Sequence, residues 1–123
     1  MEEERFHAEF VRWIGEHTAS HLAFLAESAG EAVGMVFLAV VHRVPGPGNW
    51  SRLSGNLQSL YVLADHRGNG LGAALVDAVV AEARREGLDY VLVHPSERSF
   101  PLYRRAGFAE SAGVLELDLR GGA

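Results

Sequence analysis

The chain has 123 residues, of which 48% are hydrophobic and 22% are charged, and we assign residues 1–123 to one folded domain with its own core. The formal net charge is −5 at pH 7, and arginines occur singly or in adjacent pairs, which argues against binding nucleic acid through a basic face. An acidic balance suits a cationic amine or a neutral substrate better than a polyanion.

The first third of the chain predicts one helix and a strand hairpin. Residues 2–17 favour a helix, because acidic residues occupy the first turn and apolar residues recur at helical spacing. Residues 21–27 and 32–42 are predicted strands, and the short turn at 28–31 indicates that they are antiparallel. Trp13 is expected in the buried stripe of the helix. The residues at helical spacing are Phe6, Phe10, Trp13, Ile14 and His17.

The middle of the chain predicts a strand–helix–strand unit. Residues 44–49 hold two prolines and two glycines and are expected to be a loop. A third strand is predicted at 57–63, and a helix at 70–86, with Gly87 as its stop. A short fourth strand at 90–93 should run parallel to the third, because a helix links the two. The expected buried stripe of this helix is Leu71, Leu75, Val79 and Ala83.

The last part of the chain predicts a short helix and an edge strand. Ser99 is expected to cap a helix that runs to about Ala106. Three leucines then alternate with charged residues, as in a half-exposed edge strand. They are Leu115, Leu117 and Leu119. The order of elements predicts an α/β (α+β) domain around a mixed, mostly antiparallel central sheet with one parallel βαβ unit.

The junction between the third strand and the next helix is rich in glycine. Glycines let backbone N–H groups approach a ligand without an intervening side chain. The start of a helix adds unpaired N–H groups and the positive end of the helix dipole. This junction is therefore a predicted phosphate or pyrophosphate site, with an arginine at its mouth. Its residues are Arg67, Gly68, Asn69, Gly70, Leu71 and Gly72.

Three segments in register resemble the GNAT superfamily of N-acetyltransferases. Residues 61–72 resemble the family's strand, turn and Arg-x-x-Gly-x-Gly loop. Residues 101–108 resemble its late Leu-Tyr-x-x-x-Gly-Phe segment, and residues 31–34 match the usual turn into a central strand. The resemblance covers about residues 20–120. It implies the fold of an acyl-CoA N-acyltransferase, which moves an acyl group, expected to be acetyl, from coenzyme A to an amine.

The resemblance also implies how acetyl-CoA is held. Its pyrophosphate is expected on the glycine turn and its pantetheine arm along the third strand, where the third and fourth strands are expected to separate. The backbone N–H of Val62 is the expected donor to the thioester carbonyl. The implied coenzyme-binding residues are Leu60, Tyr61, Val62, Arg67, Gly68, Asn69, Gly70, Leu71, Gly72, Ala73, Ser99 and Tyr103.

Two side chains are candidates for proton transfer. Tyr103 matches the family position that protonates the leaving thiolate, although a packing role for its ring stays open. His94, at the end of the fourth strand, is the candidate base, and a structural role before a proline is the alternative. Asn56 and Gln58 can hold a water, and Glu27 is a further possible base.

The remaining aromatic and histidine residues give weaker signals. Trp50, in the loop at residues 43–53, either stacks on a substrate or covers the core. Five other histidines lack the spacing of metal ligands, so we expect surface or packing roles and no metal site. They are His7, His17, His21, His42 and His66.

Two other classes of function compete with this interpretation. Gly68 and Gly70 with Ala73 also satisfy a dinucleotide-binding fingerprint, but no acidic residue ends the strand that follows the helix. A non-catalytic acyl-CoA-binding or regulatory module of the same fold is the alternative to the enzyme. Two features favour it: no strand and helix precede residues 2–17 as they usually do in the family, and no residue is clearly the base.

The composition also supports expectations about the reaction mechanism, the compartment and the partners of the protein. The chain has no cysteine, which excludes a thiolate nucleophile and favours direct transfer in a ternary complex. Nothing at the amino terminus resembles a signal peptide, and no run reaches the roughly 20 apolar residues of a membrane span. We expect a cytoplasmic protein without a membrane partner. The acceptor is expected to be an amine of a small molecule or a peptide, and a homodimer is possible.

Overall fold

The computed structural model describes residues 2–111 and 113–121 of the chain. Helix α1 (Glu2–Glu16) precedes three strands, β1 (His21–Ser28), β2 (Glu31–Arg43) and β3 (Arg52–Val62). Helix α2 (Leu71–Arg85), strand β4 (Val91–Leu92) and helix α3 (Phe100–Arg105) follow. Short 3-10 turns lie at Ala64–His66 and Glu97–Ser99. In the described part of the chain, no helix has the length and apolar character needed to cross a membrane.

One four-stranded sheet organises the domain, in the order β1-β2-β3-β4. The first three strands are antiparallel neighbours, and β4 is parallel to β3. The hairpin between β1 and β2 closes on Ala29 and Gly30, both with positive φ. The predicted mixed, mostly antiparallel sheet with one parallel βαβ unit is therefore confirmed.

The core lies between the sheet and α2. Val36 and Leu38 of β2 are fully buried and point to the same face, since side chains alternate along a strand. Leu75, Val76 and Val79 of α2 cover them at helical spacing. Burial of this apolar surface is the main driving force that holds α2 on the sheet, and it places the start of α2 at the end of β3.

The sheet is irregular where β3 approaches its end. The register between β2 and β3 shifts after Met35, so that Ser59 becomes the extra residue of a bulge, with a φ of +57°. On its other side, β3 pairs with β4 only at Gly55 and Asn56. The two parallel strands therefore separate beyond Asn56, as expected.

Helix α1 differs from its prediction in burial. It packs on the face of the sheet opposite α2, with the Phe10 ring 5.9 Å from the Phe37 ring. No residue of α1 is buried, and Trp13 is 38% exposed. The prediction of a buried stripe with Trp13 in it is wrong, because α1 meets the sheet through a few aromatic side chains only.

Two further expectations need correction, and one open alternative is decided. The third strand begins at Arg52 instead of residue 57, since β2 is long enough to pair with it from Arg43 onward. Trp50 is 82% exposed and does not cover the core. Residues 114–119 form no strand, although the leucines alternate, because no neighbouring strand pairs with them. The exposed leucines are Leu115, Leu117 and Leu119.

We predict that Gly55→Ala destabilises the fold by about 1–3 kcal/mol, because it overpacks a filled site. A Cβ at Gly55 would lie 2.8 Å from Cδ1 of Leu38 and 2.9 Å from Cδ1 of Leu88. The free energy of unfolding in urea measures the effect. Gly15→Ala is the matched control, since no atom lies within 4 Å of its Cβ and alanine favours a helix. Equal stability of the two variants would contradict the tight packing at Gly55.

Candidate active site

The glycine turn presents a cluster of unpaired N–H groups. Gly68 and Gly70 have φ values of +82° and +80°, which a side chain would strain. The first hydrogen bond of α2 runs from the N–H of Ala74 to the carbonyl of Gly70, at 3.0 Å. The three N–H groups before it, on Leu71, Gly72 and Ala73, thus have no acceptor in the helix. With the positive end of the helix dipole, they make a candidate anion site.

Arg67 lies beside this turn and is anchored to the strand. Its Nε donates a hydrogen bond of 2.8 Å to the carbonyl of Val62. Its guanidinium lies over the ring of Tyr61, with 5.3 Å between the central carbon and the ring centroid. The positive charge is therefore held at the junction of β3 and the glycine turn, where an anion on the N–H cluster would meet it.

The backbone of Leu60 and Val62 faces the gap left by β4. The N–H of Leu63 donates to the carbonyl of Val33 on β2 at 2.8 Å. Because backbone groups alternate in direction along a strand, the N–H and carbonyl of the preceding residue, Val62, point away from β2. Leu60, two residues earlier, points to the same side. These residues lie past the last β3–β4 pair at Asn56. An extended ligand arm can therefore pair with β3 at this edge.

Tyr103 and His94, the two predicted proton-transfer residues, line one cavity. It has a volume of about 270 Å³ and lies between β4, α3 and the residues after α3. Tyr103 is 5% exposed and its ring meets Phe108 edge to face, at 5.6 Å. Burial raises the pKa of the Tyr103 phenol above its ordinary value, so the phenol keeps its proton at neutral pH. His94 is exposed at the end of β4.

Ser99 occupies the N-cap position of α3 but does not cap it. Its hydroxyl donates instead to the carbonyl of Ser96, at 3.0 Å, because the 3-10 turn before the helix brings that carbonyl within reach. The expectation of a side-chain cap by Ser99 is therefore wrong. Its hydroxyl also lies 3.0 Å from that of Ser96, so both serines belong to one turn.

A second cavity was not predicted from the sequence. It has a volume of about 370 Å³ and lies between α1 and the bulged part of β3; we call it the α1 cavity. His21, expected to be a surface or packing residue, lines it, as does Gln58. Glu27 and Asn56 line neither cavity. The lining residues are Phe6, Glu9, Phe10, Trp13, His21, Phe37, Gln58 and Ser59.

The sequence signal for the α1 cavity is the spacing of Phe6, Phe10 and Trp13, which places three aromatic rings on one face of α1. That spacing is equally typical of a buried stripe, and only the exposure of the rings separates the two interpretations. No sequence signal connected His21 with this face. Within residues 2–111 and 113–121, no group of three or more histidine, aspartate or glutamate side chains is arranged to hold a metal ion.

Comparisons with known proteins identify the family of this chain. A model of the acetyltransferase (GNAT) family matches residues 1–108. A glucosamine 6-phosphate N-acetyltransferase from Trypanosoma brucei brucei is 30% identical over 96 residues, which are 78% of this chain and 63% of the relative. The chain thus spans less than two thirds of the length of this curated relative.

Solved structures have the same fold. A predicted acetyltransferase from Clostridium acetobutylicum, solved with acetyl-CoA, superposes with a TM-score of 0.77 at 22% identity, over 93% of this chain and 75% of that one. An acetyltransferase from Trypanosoma brucei superposes with a TM-score of 0.70 at 27% identity, over 91% of this chain and 77% of that one.

Proposed function

The chain belongs to the acetyltransferase (GNAT) family, and we propose that it transfers an acetyl group from acetyl-CoA to a primary amine of a small molecule or a peptide. One observation carries the proposal: the anion site of the glycine turn lies at the end of the same strand whose free edge can pair with an extended arm. A pyrophosphate with a pantetheine arm needs these two features side by side.

The residues present fit acetyl-CoA, which supplies the activated acetyl group. The N–H groups of Leu71, Gly72 and Ala73 and the guanidinium of Arg67 would hold the pyrophosphate. The backbone of Leu60 and Val62 would hold the arm. Since the Val62 carbonyl already accepts from Arg67, its N–H is the group left to donate to a thioester carbonyl.

Tyr103 would protonate the leaving sulfur. The phenol carries its proton at neutral pH, because burial raises a pKa that ordinarily already lies well above neutrality. The chain has no cysteine, which supports direct attack of the amine without an acetylated thiol on the protein. His94 shares the cavity of Tyr103 and remains a proposed base for this reaction.

We predict that acetyl-CoA at about 100 times its dissociation constant raises the free energy of unfolding by about 2.7 kcal/mol, whereas NAD does not.

Asn69→Glu adds a negative charge to the exposed glycine turn and should weaken acetyl-CoA binding about tenfold or more, since charge repulsion over a few Å is worth about 1–4 kcal/mol. Asn49→Glu makes the same change in an exposed loop and should leave binding unaltered. Thermal unfolding with each ligand measures both. No shift at saturating acetyl-CoA would refute the proposed function.

We predict that Tyr103→Phe lowers kcat for acetyl transfer on the order of 100-fold and leaves the stabilisation by acetyl-CoA in place, because only the proton donor is lost. Thiol release measures kcat. Tyr90→Phe, at an exposed residue directly before β4, is the control. Unchanged turnover of Tyr103→Phe would remove its acid role. Binding of acetyl-CoA without turnover of any amine would identify a binding module instead of an enzyme.

We also propose that the protein is a homodimer. Leu115, Leu117 and Leu119 are 98%, 79% and 83% exposed, which is unusual for three leucines in one short segment. Val114, directly before them, lines the cavities beside the free edge of β4. A second copy would cover both the leucines and this edge, which otherwise offers unpaired backbone groups.

We predict a mass near twice 13.3 kDa in light scattering, and a mass near 13.3 kDa after Leu115→Glu and Leu117→Glu are combined. Two charges on the leucine segment would oppose association without touching the core. Val44→Glu, at an apolar loop residue that is 79% exposed, should leave the dimer intact. A monomeric wild-type protein at every concentration would contradict the dimer.

A further inference from the structure

The α1 cavity has an aromatic wall that is open to ligands. The rings of Phe6 and Phe10 stack with centroids 5.4 Å apart, and Phe10 meets the buried Phe37 edge to face. Trp13 continues the row along α1 and stays partly exposed. A volume of about 370 Å³ is ample for a ring-sized ligand, since cavities of roughly 150 Å³ hold benzene. The wall suits a flat apolar group.

The floor of the same cavity is the bulge of β3. Gln58 and Ser59 line it, directly before Leu60, whose backbone faces the gap between β3 and β4. Under the proposed function, the thioester lies at that gap. A ligand in the α1 cavity would therefore reach the thioester from across β3. The coenzyme would lie on the other side, along the free edge of β3.

The charge of the cavity favours a cation. Glu9 is the acidic residue in the lining, and no arginine is among the lining residues that the structure describes. The chain has no lysine. Arg5 contacts Glu9 at 3.5 Å, but both side chains are largely exposed, so this pair is weak. An ammonium gains attraction from a carboxylate and from aromatic ring faces, whereas a phosphate meets no arginine in the lining, since Arg5 lies outside it.

His21 supplies a basic group at the same place. Its Nδ1 lies 2.7 Å from the hydroxyl of Ser20, and its ring lies 4.8 Å from that of Trp13. These two contacts fix the imidazole at the end of the aromatic wall. In the described chain Nε2 has no hydrogen-bond partner, so it is available to a ligand.

We propose that the α1 cavity takes a primary amine carried on an aromatic or other flat apolar body, rather than a phosphorylated amino sugar, and that His21 accepts the proton that the ammonium must lose. This rests on the proposed function.

The deprotonated amine forms a C–N bond to the acetyl carbon as the C–S bond breaks. The sulfur takes one proton through Tyr103, the amine nitrogen passes its surplus proton by way of the proposed base His94 to solvent, and the products are the N-acetylamine and the free thiol.

The test compares 2-phenylethylamine with glucosamine 6-phosphate as acceptors, by thiol release at saturating acetyl-CoA. A chain without cysteine adds no thiol of its own to this assay. We expect kcat/KM to be at least tenfold higher for 2-phenylethylamine. Equal or faster acetylation of glucosamine 6-phosphate would overturn the inference. Stabilisation by acetyl-CoA without acetylation of 2-phenylethylamine would overturn it too, and the proposed function would stand.

Variants separate the roles of the side chains. Trp13→Ala and Glu9→Gln should each raise KM for 2-phenylethylamine at least fivefold, whereas Val11→Ala, outside the cavity lining on the same helix, should not. Because no residue of α1 is buried, these changes leave the core intact.

His21→Gln should lower kcat at least tenfold with KM retained. Unchanged KM in both cavity variants would refute the binding site, and unchanged kcat in His21→Gln would refute the proton acceptor. In all variants, stabilisation by acetyl-CoA should equal that of the wild type.

Discussion

The incomplete pairing of β3 with β4 is the constraint on which the candidate site depends. The last pair between the two strands is at Asn56, and the bulge at Ser59 then reverses which residues face the open side. Without the bulge, the backbone of Ser59 and Tyr61 would have pointed there; with it, Leu60 and Val62 do. A regular strand in a full ladder would have used these groups for its neighbour. One local irregularity thus exposes a strand edge directly before an anion site.

The glycine turn was predictable because its requirements are local. Positive φ at Gly68 and Gly70 and the free N–H groups at the start of α2 follow from a few consecutive residues. The strands β1 and β2 and the helix α2 were predictable for the same reason, since their periodicity is visible within one segment. The position of Arg67 on the Val62 carbonyl was not, because it depends on how the turn folds back on the strand.

Elements whose state depends on a distant partner were predicted less well. Leu115, Leu117 and Leu119 have the alternation of a strand, but alternation describes a preference, and a strand forms only beside another edge. The face of α1 has the spacing of a buried stripe, yet its rings stay accessible because little of the sheet meets them. The α1 cavity joins residues from α1, β1, β2 and β3, so no single segment carries its signal.

The two sides of β3 therefore differ in what they reveal about function. On the coenzyme side, the proposed recognition uses backbone groups and one arginine, which require glycines and a helix start but few particular side chains. On the α1 side, the proposed recognition uses the side chains of Phe10, Trp13 and Glu9, whose identity can change without altering the backbone. A shared fold therefore predicts the coenzyme well and the acceptor poorly. The acceptor of a relative that is 30% identical is thus weaker evidence than the rings and the carboxylate of this chain's own cavity.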